Sequence, residues 1–309
     1  MHIEEDQFIP GNILFSDGSS LQTTNGKTKQ VIVGVSTESG HQHQLGSERY
    51  STITGFHQIS ADEVLIVDNG NNCIRSADRR RIKTGQSFAG SCGYDFKYRD
   101  GSSPTFKQPH SIIPDILNPG TLLVTDINFK AIRQLNTQSR VVSTFLRKDS
   151  DSYFYPRGIC QQSMTGNLFV SASYLVYAID YHQKSITTTI GSTTGGYASG
   201  LFSSTKFSAP LEVLLMTNSS ELLVTDKDNR IRTLNLERSL SSFICYEGGH
   251  RDGSRSRCYV DQPSALTVVR NTLYIGEHQR IRFIRGSQNA KSVQMTFLSI
   301  KYLLSDLNI

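Results

Sequence analysis

The chain has 309 residues, of which 37% are apolar and 19% are charged, and 32 Lys and Arg against 27 Asp and Glu give a net charge of +5 at pH 7. This length and composition are typical of a globular chain with a sizeable core. A run of about 18 apolar residues is absent, so we expect no membrane-spanning helix. The polar, acidic segment 1–6 lacks the basic and apolar regions of a signal peptide, so on this ground we expect a cytosolic protein or a fragment of a larger one.

A short pattern recurs along the chain: an apolar strand that ends in a small residue and an acid, then a polar turn, then Ile-Arg or a near equivalent. The position of the acid falls at residues 17, 68, 126, 172, 226 and 277, so the spacings are 51, 58, 46, 54 and 51 residues. Units this small cannot bury their own apolar face, and strand-rich repeats of about fifty residues are typical of propeller blades.

Four strands fit each unit. In the third unit we predict them at 111–113, 122–125, 131–135 and 141–145, where apolar runs alternate with Asp, Asn and Gly. Short turns between them make an antiparallel meander. The sequence therefore predicts an all-β fold, a six-bladed β-propeller of four-stranded antiparallel blades that forms a single domain, 1–309. The predicted blades are 1–40, 50–92, 109–148, 156–191, 210–246 and 263–301, with a tail at 302–309.

The repeated acid and arginine are predicted to be structural. A short carboxylate at the end of the second strand can accept backbone N–H bonds in the turn. The arginine alternates away from the buried Ile before it and can reach an acid in its own or a neighbouring blade. These residues are Asp68, Arg75, Asp126, Arg133, Asp226, Arg232, Glu277 and Arg282.

The arrangement of Asp, turn, Asn and Ile-Arg resembles the NHL-repeat family of six-bladed propellers, over about residues 50–290. Loops of that family carry Asp-Gly, then Phe, then a Pro that opens a blade, and this chain has Asp100-Gly101, Phe106 and Pro109. The fourth unit departs from the pattern, because Ala172 replaces the acid and Tyr177 replaces the arginine. The absence of Trp separates the chain from Trp-Asp repeat propellers.

The cysteines favour an extracellular relative of that family. Cys73 begins the third strand of one blade and Cys92 ends the fourth, and Cys245 and Cys258 bracket a loop. Both pairs resemble disulfides of extracellular NHL proteins, whereas Cys160 is predicted to be a buried thiol. The alternative is five reduced thiols in a cytoplasmic protein.

A glycosylation triplet begins at Asn218, in the loop between the first and second strands of the fifth unit. A sugar there would be exposed, although such triplets are also frequent by chance.

Common catalytic signatures are missing, because the chain has no phosphate-binding glycine loop and no nucleophile elbow. Some six-bladed relatives are metal-dependent hydrolases or lyases, with ligands on the first strands of several blades. The corresponding positions here are His57, His110, Arg157 and Glu212, which supply too few ligands for calcium or zinc. We therefore expect no metal, no cofactor and no enzyme activity, and propose these four residues for a small ligand or a partner.

RNA binding is a further alternative, since NHL propellers of tripartite-motif proteins bind RNA. Arg79, Arg80 and Arg81 lie in one turn, and Arg251, Arg255 and Arg257 lie in one loop. An excess of five positive charges over 309 residues is mild, however, and arginine-rich turns are often solvated edges.

The favoured hypothesis is a non-enzymatic binding or scaffolding propeller of a secreted or cell-surface protein. The loops that cross from one blade to the next are long and rich in Gly, Ser, Tyr and Arg, a composition suited to recognition of a protein, or alternatively a glycan. Tyr94, Phe96, Tyr98 and Tyr197 are the predicted contact residues on these loops.

Overall fold

The structure is a computed structural model. It describes residues 1–26, 28–34, 50–79, 86–216, 220–247, 258–270, 272–277, 280–285 and 300–302. The predicted fold class is confirmed, because the protein is an all-β, six-bladed propeller of four-stranded antiparallel blades. The chain divides into two compact units, Met1–Arg157 and Gly158–Ile309.

Blades one to three lie in the first unit. Within each of them, consecutive strands pair in antiparallel fashion. The strands are β1 (Ile3–Glu5), β2 (Ile13–Ser16), β3 (Ser20–Thr24), β4 (Lys29–Gly34), β5 (Ile53–Gln58), β6 (Glu63–Asp68), β7 (Cys73–Asp78), β8 (Gln86–Ala89), β9 (Pro109–Pro114), β10 (Thr121–Asp126), β11 (Ala131–Asn136) and β12 (Val142–Arg147). The strand ends in blade three differ from the predicted ones by at most two residues.

Blade four begins with β13 (Pro156–Gln161), which spans the boundary of the two units, and blades five and six lie in the second. Two short segments add to the outer strand of blade five, Gly200–Leu201 in antiparallel and Tyr259–Val260 in parallel orientation. The remaining strands are β14 (Leu168–Ala172), β15 (Leu175–Asp180), β16 (Ser185–Gly191), β17 (Gly200–Leu201), β18 (Pro210–Leu215), β19 (Glu221–Asp226), β20 (Arg230–Asn235), β21 (Leu240–Glu247), β22 (Tyr259–Val260), β23 (Ala265–Val269), β24 (Thr272–Gly276), β25 (Ile281–Arg285) and β26 (Ile300–Tyr302).

Apolar clusters fill the spaces between consecutive blades. In the first unit, Val67 of blade two and Val124 of blade three belong to one buried cluster, together with Phe106 from the loop between them. Phe207 has the same place between blades four and five. Because both faces of a blade are covered, all six residues of β10 are buried. That double cover explains why the second strands are continuous apolar runs rather than alternating ones.

A buried ion pair joins the second and third strands of blade three. The Arg133 guanidinium lies 3.4 Å from the Asp126 carboxylate, and both side chains are completely buried. Arg133 also donates to the carbonyl oxygens of Thr105 at 3.0 Å and Arg99 at 2.7 Å. Asp126 in turn accepts the N–H of Lys107 at 3.0 Å. The pair therefore ties the loop that enters blade three to that blade.

Three other blades repeat this arrangement. Asp226 accepts the N–H groups of Ser208 and Ala209, and Arg232 donates to the carbonyl oxygens of Ala198 and Lys206. The separations within the pairs are 3.5 Å for Arg232 and Asp226, 3.0 Å for Arg282 and Glu277, and 3.2 Å for Arg75 and Asp68. In blade four, Ala172 and Tyr177 are buried instead. Apolar residues can replace a buried ion pair at little cost in stability.

Hydroxyl groups one position before the acid connect neighbouring blades. Thr125 Oγ1 accepts the N–H of Ser111 at 2.9 Å and donates to the carbonyl oxygen of Arg157 at 2.7 Å. In the second unit, Ser171 accepts the N–H of Gly158 at 3.0 Å and donates to Leu211 at 2.6 Å. The first strands approach so closely there that a Cβ on Gly158 would lie 2.4 Å from the Leu211 oxygen. Only glycine fits such an approach.

We predict that Arg133→Gln lowers the free energy of unfolding by about 3 kcal/mol or more, because it leaves the buried Asp126 carboxylate without its counter-charge and two loop carbonyl groups without their donor. Burial, opposed by Arg133, already raises the pKa of Asp126 to about 7. Without Arg133 that pKa rises further, so the loss shrinks as the pH falls and Asp126 takes up a proton. Urea unfolding at several pH values measures both effects.

The matched control is Arg238→Gln, which removes the same charge from an exposed position. It should change the free energy of unfolding by less than about 0.5 kcal/mol. An equally small change for Arg133→Gln would show that the buried pair does not hold the loop.

Candidate functional site

Histidine side chains from blades one and two meet on the first strands of the first unit. His57 Nδ1 lies 3.5 Å and His2 Nε2 lies 3.6 Å from the same oxygen, Glu4 Oε1. Burial raises the pKa of Glu4, but hydrogen bonds from His2 and His57 together hold that pKa below its usual value. Glu4 is therefore a carboxylate shared by two imidazoles.

His110 and Arg157 lie on the first strands of blades three and four. Burial, and then the charge of Arg157, lower the pKa of His110 from 6.5 to about 3. The ring is thus neutral, and its Nδ1 atom is buried without a hydrogen-bond partner in the described part of the chain. Burial also lowers the pKa of Arg157, and no described carboxylate raises that pKa again.

Glu212, the fourth residue predicted for this region, lies on β18 of the second unit. Its side chain is buried, and its Oε1 accepts the N–H of Val213 at 3.2 Å. Burial first, and then the nearby charge of Glu212, raise the pKa of the Cys160 thiol. Cys160 is a free cysteine, as predicted, but the residue is partly rather than fully buried.

The loop 93–108, called the aromatic loop here, carries two exposed rings. Tyr94 is 61% exposed and Phe96 is 44% exposed, and their rings contact edge to face at 5.9 Å. The ammonium group of Lys107 lies 5.0 Å from the centre of the Phe96 ring. This part of the loop offers an apolar surface with a cation beside it.

Tyr98 points into the same loop and is half-buried. Its ring lies under the guanidinium groups of Arg147 at 3.8 Å and Arg133 at 4.5 Å, and its hydroxyl lies 2.5 Å from Thr144 Oγ1. Burial is the main cause that raises the pKa of Tyr98. The structure therefore separates Tyr98, which anchors the loop, from Tyr94 and Phe96, which face solvent.

The aromatic loop is fixed at both ends and in the middle. The predicted disulfide between Cys73 and Cys92 is confirmed, and it joins the start of the loop to β7. Asp100 accepts the N–H of Thr144 at 3.1 Å and binds Arg133 at 2.6 Å. Gly101 bridges to β12 with a positive φ that suits glycine. Few conformations remain open to this loop.

Tyr197 lies in the second unit, on the loop that enters blade five. It is 66% exposed, and the Arg230 guanidinium stacks 4.4 Å from its ring centre. Nearby in the fold, the exposed Leu201 of β17 pairs directly with the exposed Leu240 of β21. Tyr197 is therefore a second exposed aromatic position, and it belongs to the second unit.

Several predicted residues lie outside the described residues. They are Asn218, the side chain of Cys245, Arg80, Arg81, Arg251, Arg255 and Arg257. Cys258 is buried and disulfide-bonded. Within the described ranges, no group of three or more His, Cys, Asp or Glu is placed to hold a metal ion. No helix in this part of the chain is both long and apolar enough to cross a membrane.

His2 and Glu4 are not predicted from the sequence, because the polar residues of the segment before Pro10 hide its first strand. Alternation carries the signal, since Ile3 between them is buried while Glu4 meets His57. The hydroxyl role of Thr125 is not predicted either, although the same position is Ser or Thr in blades one, three, four and five.

Comparisons with known proteins agree on the fold. No family model matches the chain, and no curated protein matches it in sequence. A structure of the nidogen/laminin complex is 14% identical, with 89% of each chain covered and a TM-score of 0.59. An auxiliary nutrient binding protein from Bacteroides ovatus is 11% identical, with 91% of this chain and 68% of that chain covered and a TM-score of 0.66.

Virginiamycin B lyase from Staphylococcus aureus matches as well, with 12% identity, 97% of this chain and 82% of that chain covered, and a TM-score of 0.56. At such identities the likeness shows the propeller fold alone. Because the matched proteins include both binding proteins and a lyase, the fold does not select a function.

We predict that His110 makes the protein sensitive to acid. Between pH 6.5 and about 3 the unfolded chain takes up a proton at His110 that the folded protein does not, so stability falls as the pH falls. The slope from this one group is up to about 1.4 kcal/mol per pH unit. Urea unfolding of His110→Phe should show a flatter dependence over this range, and curves parallel to the wild type would contradict the prediction.

Proposed function

We propose that this chain is a non-enzymatic binding propeller that docks a protein partner on the aromatic loop. The observation that carries the proposal is the pair of exposed rings, Tyr94 and Phe96, on a loop that is otherwise immobilised. Aromatic residues are enriched at the centre of protein interfaces, where they bury large areas and contribute most of the binding energy.

Rigidity supports this use of the loop. A mobile loop must lose conformational freedom when it binds, at a cost of about 0.5–1.5 kcal/mol per ordered side chain. Here the Cys73–Cys92 disulfide, the Arg133 hydrogen bonds and the Asp100 turn fix the backbone before any partner arrives. The two rings are thus presented in one arrangement.

The cations of the loop favour a partner with acidic or carbonyl groups at the rim of the contact. Lys107 lies beside Phe96, while Arg99 is engaged by Asp95 at 2.5 Å and Arg147 by Asp149 at 2.8 Å. Such pairs at the rim affect orientation and association rate more than affinity. A glycan would stack on the same rings, and RNA would need a broader basic surface.

We propose an extracellular or cell-surface location, and the disulfides support it, because thiols stay reduced in the cytosol. The resemblance to extracellular NHL proteins supports the same location, and a nidogen/laminin complex is among the structures that share the fold. We also propose that the chain belongs to the NHL-repeat family.

The partner surface is tested with the double variant Tyr94→Ser/Phe96→Ser. Panels of extracellular proteins, glycans and RNA hairpins are probed with the wild type by surface plasmon resonance. For a protein that binds, the variant should lose at least about tenfold in affinity without a change in thermal stability, since central aromatic contacts contribute about 2 kcal/mol or more.

Met164→Ser is the matched control, because Met164 is 91% exposed and lies in blade four. It should bind like the wild type. Full binding by the double variant would contradict the aromatic loop as the surface, and binding to RNA alone, with steep loss in salt, would contradict a protein partner.

The location is tested by secretion from eukaryotic cells followed by mass spectrometry. We expect disulfides between Cys73 and Cys92 and between Cys245 and Cys258, one free thiol at Cys160, and a glycan on Asn218 if that loop is reached by the glycosylation machinery. Five free thiols, or failure of export with a heterologous leader, would contradict the extracellular proposal.

A further inference from the structure

Arg157 differs from three other arginines of the first unit that are partly or fully buried. Arg75, Arg79 and Arg133 each hold a carboxylate, at 3.2, 2.5 and 3.4 Å respectively. Arg157 is half-buried, and no described carboxylate pairs with it. A partly desolvated guanidinium without a counter-charge costs free energy that the fold does not recover locally.

The neutral ring of His110 adds a second unsatisfied group. A neutral imidazole has one donor nitrogen and one acceptor nitrogen. His110 hydrogen-bonds the backbone of Arg157 in a way that favours its protonated form, which identifies that nitrogen as the donor. The remaining nitrogen, Nδ1, is then a buried acceptor that lacks a donor among the described residues.

The backbones near the two residues are held together. The Thr125 hydroxyl accepts the N–H of Ser111, which follows His110, and donates to the carbonyl oxygen of Arg157. The strands β9 and β13 are therefore joined next to His110 and at Arg157. His110 also binds the backbone of Arg157 and feels its charge, so the cation and the unpartnered nitrogen belong to the same region of the unit.

We propose that Arg157 and His110 form a binding site for a small carboxylate that carries a hydroxyl group on the adjacent carbon. The guanidinium receives the two carboxylate oxygens in a planar, bidentate contact, which is the geometry that arginine prefers. The ligand hydroxyl donates to His110 Nδ1. The site is separate from the aromatic loop and goes beyond the function proposed above.

The neighbouring charges do not exclude an anion. Glu4 is the acid of the adjoining cluster, and its negative charge is shared by His2 and His57. In the same unit, Asp6 is engaged by Arg79. Arg157, with the N-terminal ammonium group that also acts on His110, supplies positive charge that the ligand can neutralise.

Three small probes test the chemistry by titration calorimetry with the full chain. Glycolate has both groups, acetate lacks the hydroxyl, and glycolamide lacks the charge. We expect saturable binding of glycolate, binding of acetate that is about two- to tenfold weaker, and no measurable binding of glycolamide. No saturable binding of glycolate, or equal binding of glycolamide, would overturn the proposal.

Two variants assign the roles. Arg157→Gln should weaken glycolate binding at least about tenfold, since a hydrogen-bonded charge is lost. His110→Phe should reduce the affinity for glycolate to that for acetate and leave acetate binding unchanged. The control Arg238→Gln removes a distant exposed charge and should bind glycolate like the wild type; an equal loss in this control would indicate non-specific attraction and overturn the proposal.

Thermal unfolding separates a binding role from a structural one. Removal of an unpaired, half-buried charge should leave the melting temperature of Arg157→Gln unchanged or raise it, whereas removal of a structural arginine lowers it. A melting temperature lowered by several degrees would assign Arg157 to the fold and overturn the proposal.

Discussion

The buried pair of acid and arginine is the interaction on which the positions of the loops between the blades depend. A guanidinium such as that of Arg133 has five donors, and a carboxylate such as that of Asp126 cannot satisfy all of them. The unused donors reach the carbonyl oxygens of the preceding loop. Each pair therefore does more than join two strands, since it also fixes the path by which the chain enters the blade.

This dependence explains why the exposed surface is well ordered. In blade three, the loop fastened by Arg133 carries Tyr94 and Phe96, and Tyr98 lies under the same guanidinium. In blade five, Arg232 fastens the loop that carries Tyr197. Blade four, in which Ala172 and Tyr177 replace the pair, shows that the apolar core can close a blade without it. The ion pairs are therefore better understood as devices that position loops than as a general requirement for the fold.

The local sequence pattern was enough to predict the blades, because each copy of the strand, acid and Ile-Arg repeat spans only about a dozen residues. The candidate site depends on contacts between distant residues, and these could not be predicted in the same way. Glu4 meets His57 across 53 positions, and Asp126 accepts the N–H of Lys107 in the loop before the blade as well as that of Phe129 in the adjacent turn. The exposure of the loop tyrosines could not be predicted either. Tyr94 and Tyr98 have similar neighbours in the sequence, but Tyr94 is exposed and Tyr98 is half-buried.

The surroundings of the arginines distinguish those that stabilise the fold from the one that we propose binds a ligand. Wherever an arginine has a structural role, the chain supplies a carboxylate and carbonyl groups for its donors, as for Arg133 and Arg232. Arg157 is only half-buried, and no described carboxylate pairs with it, so the described part of the chain does not offset its desolvation. Local inconsistencies of this kind are expected at functional sites, because binding supplies the missing partner only when the ligand is present. The unpaired cation, rather than any recognisable motif, is thus the feature that separates a site from the repeated framework around it.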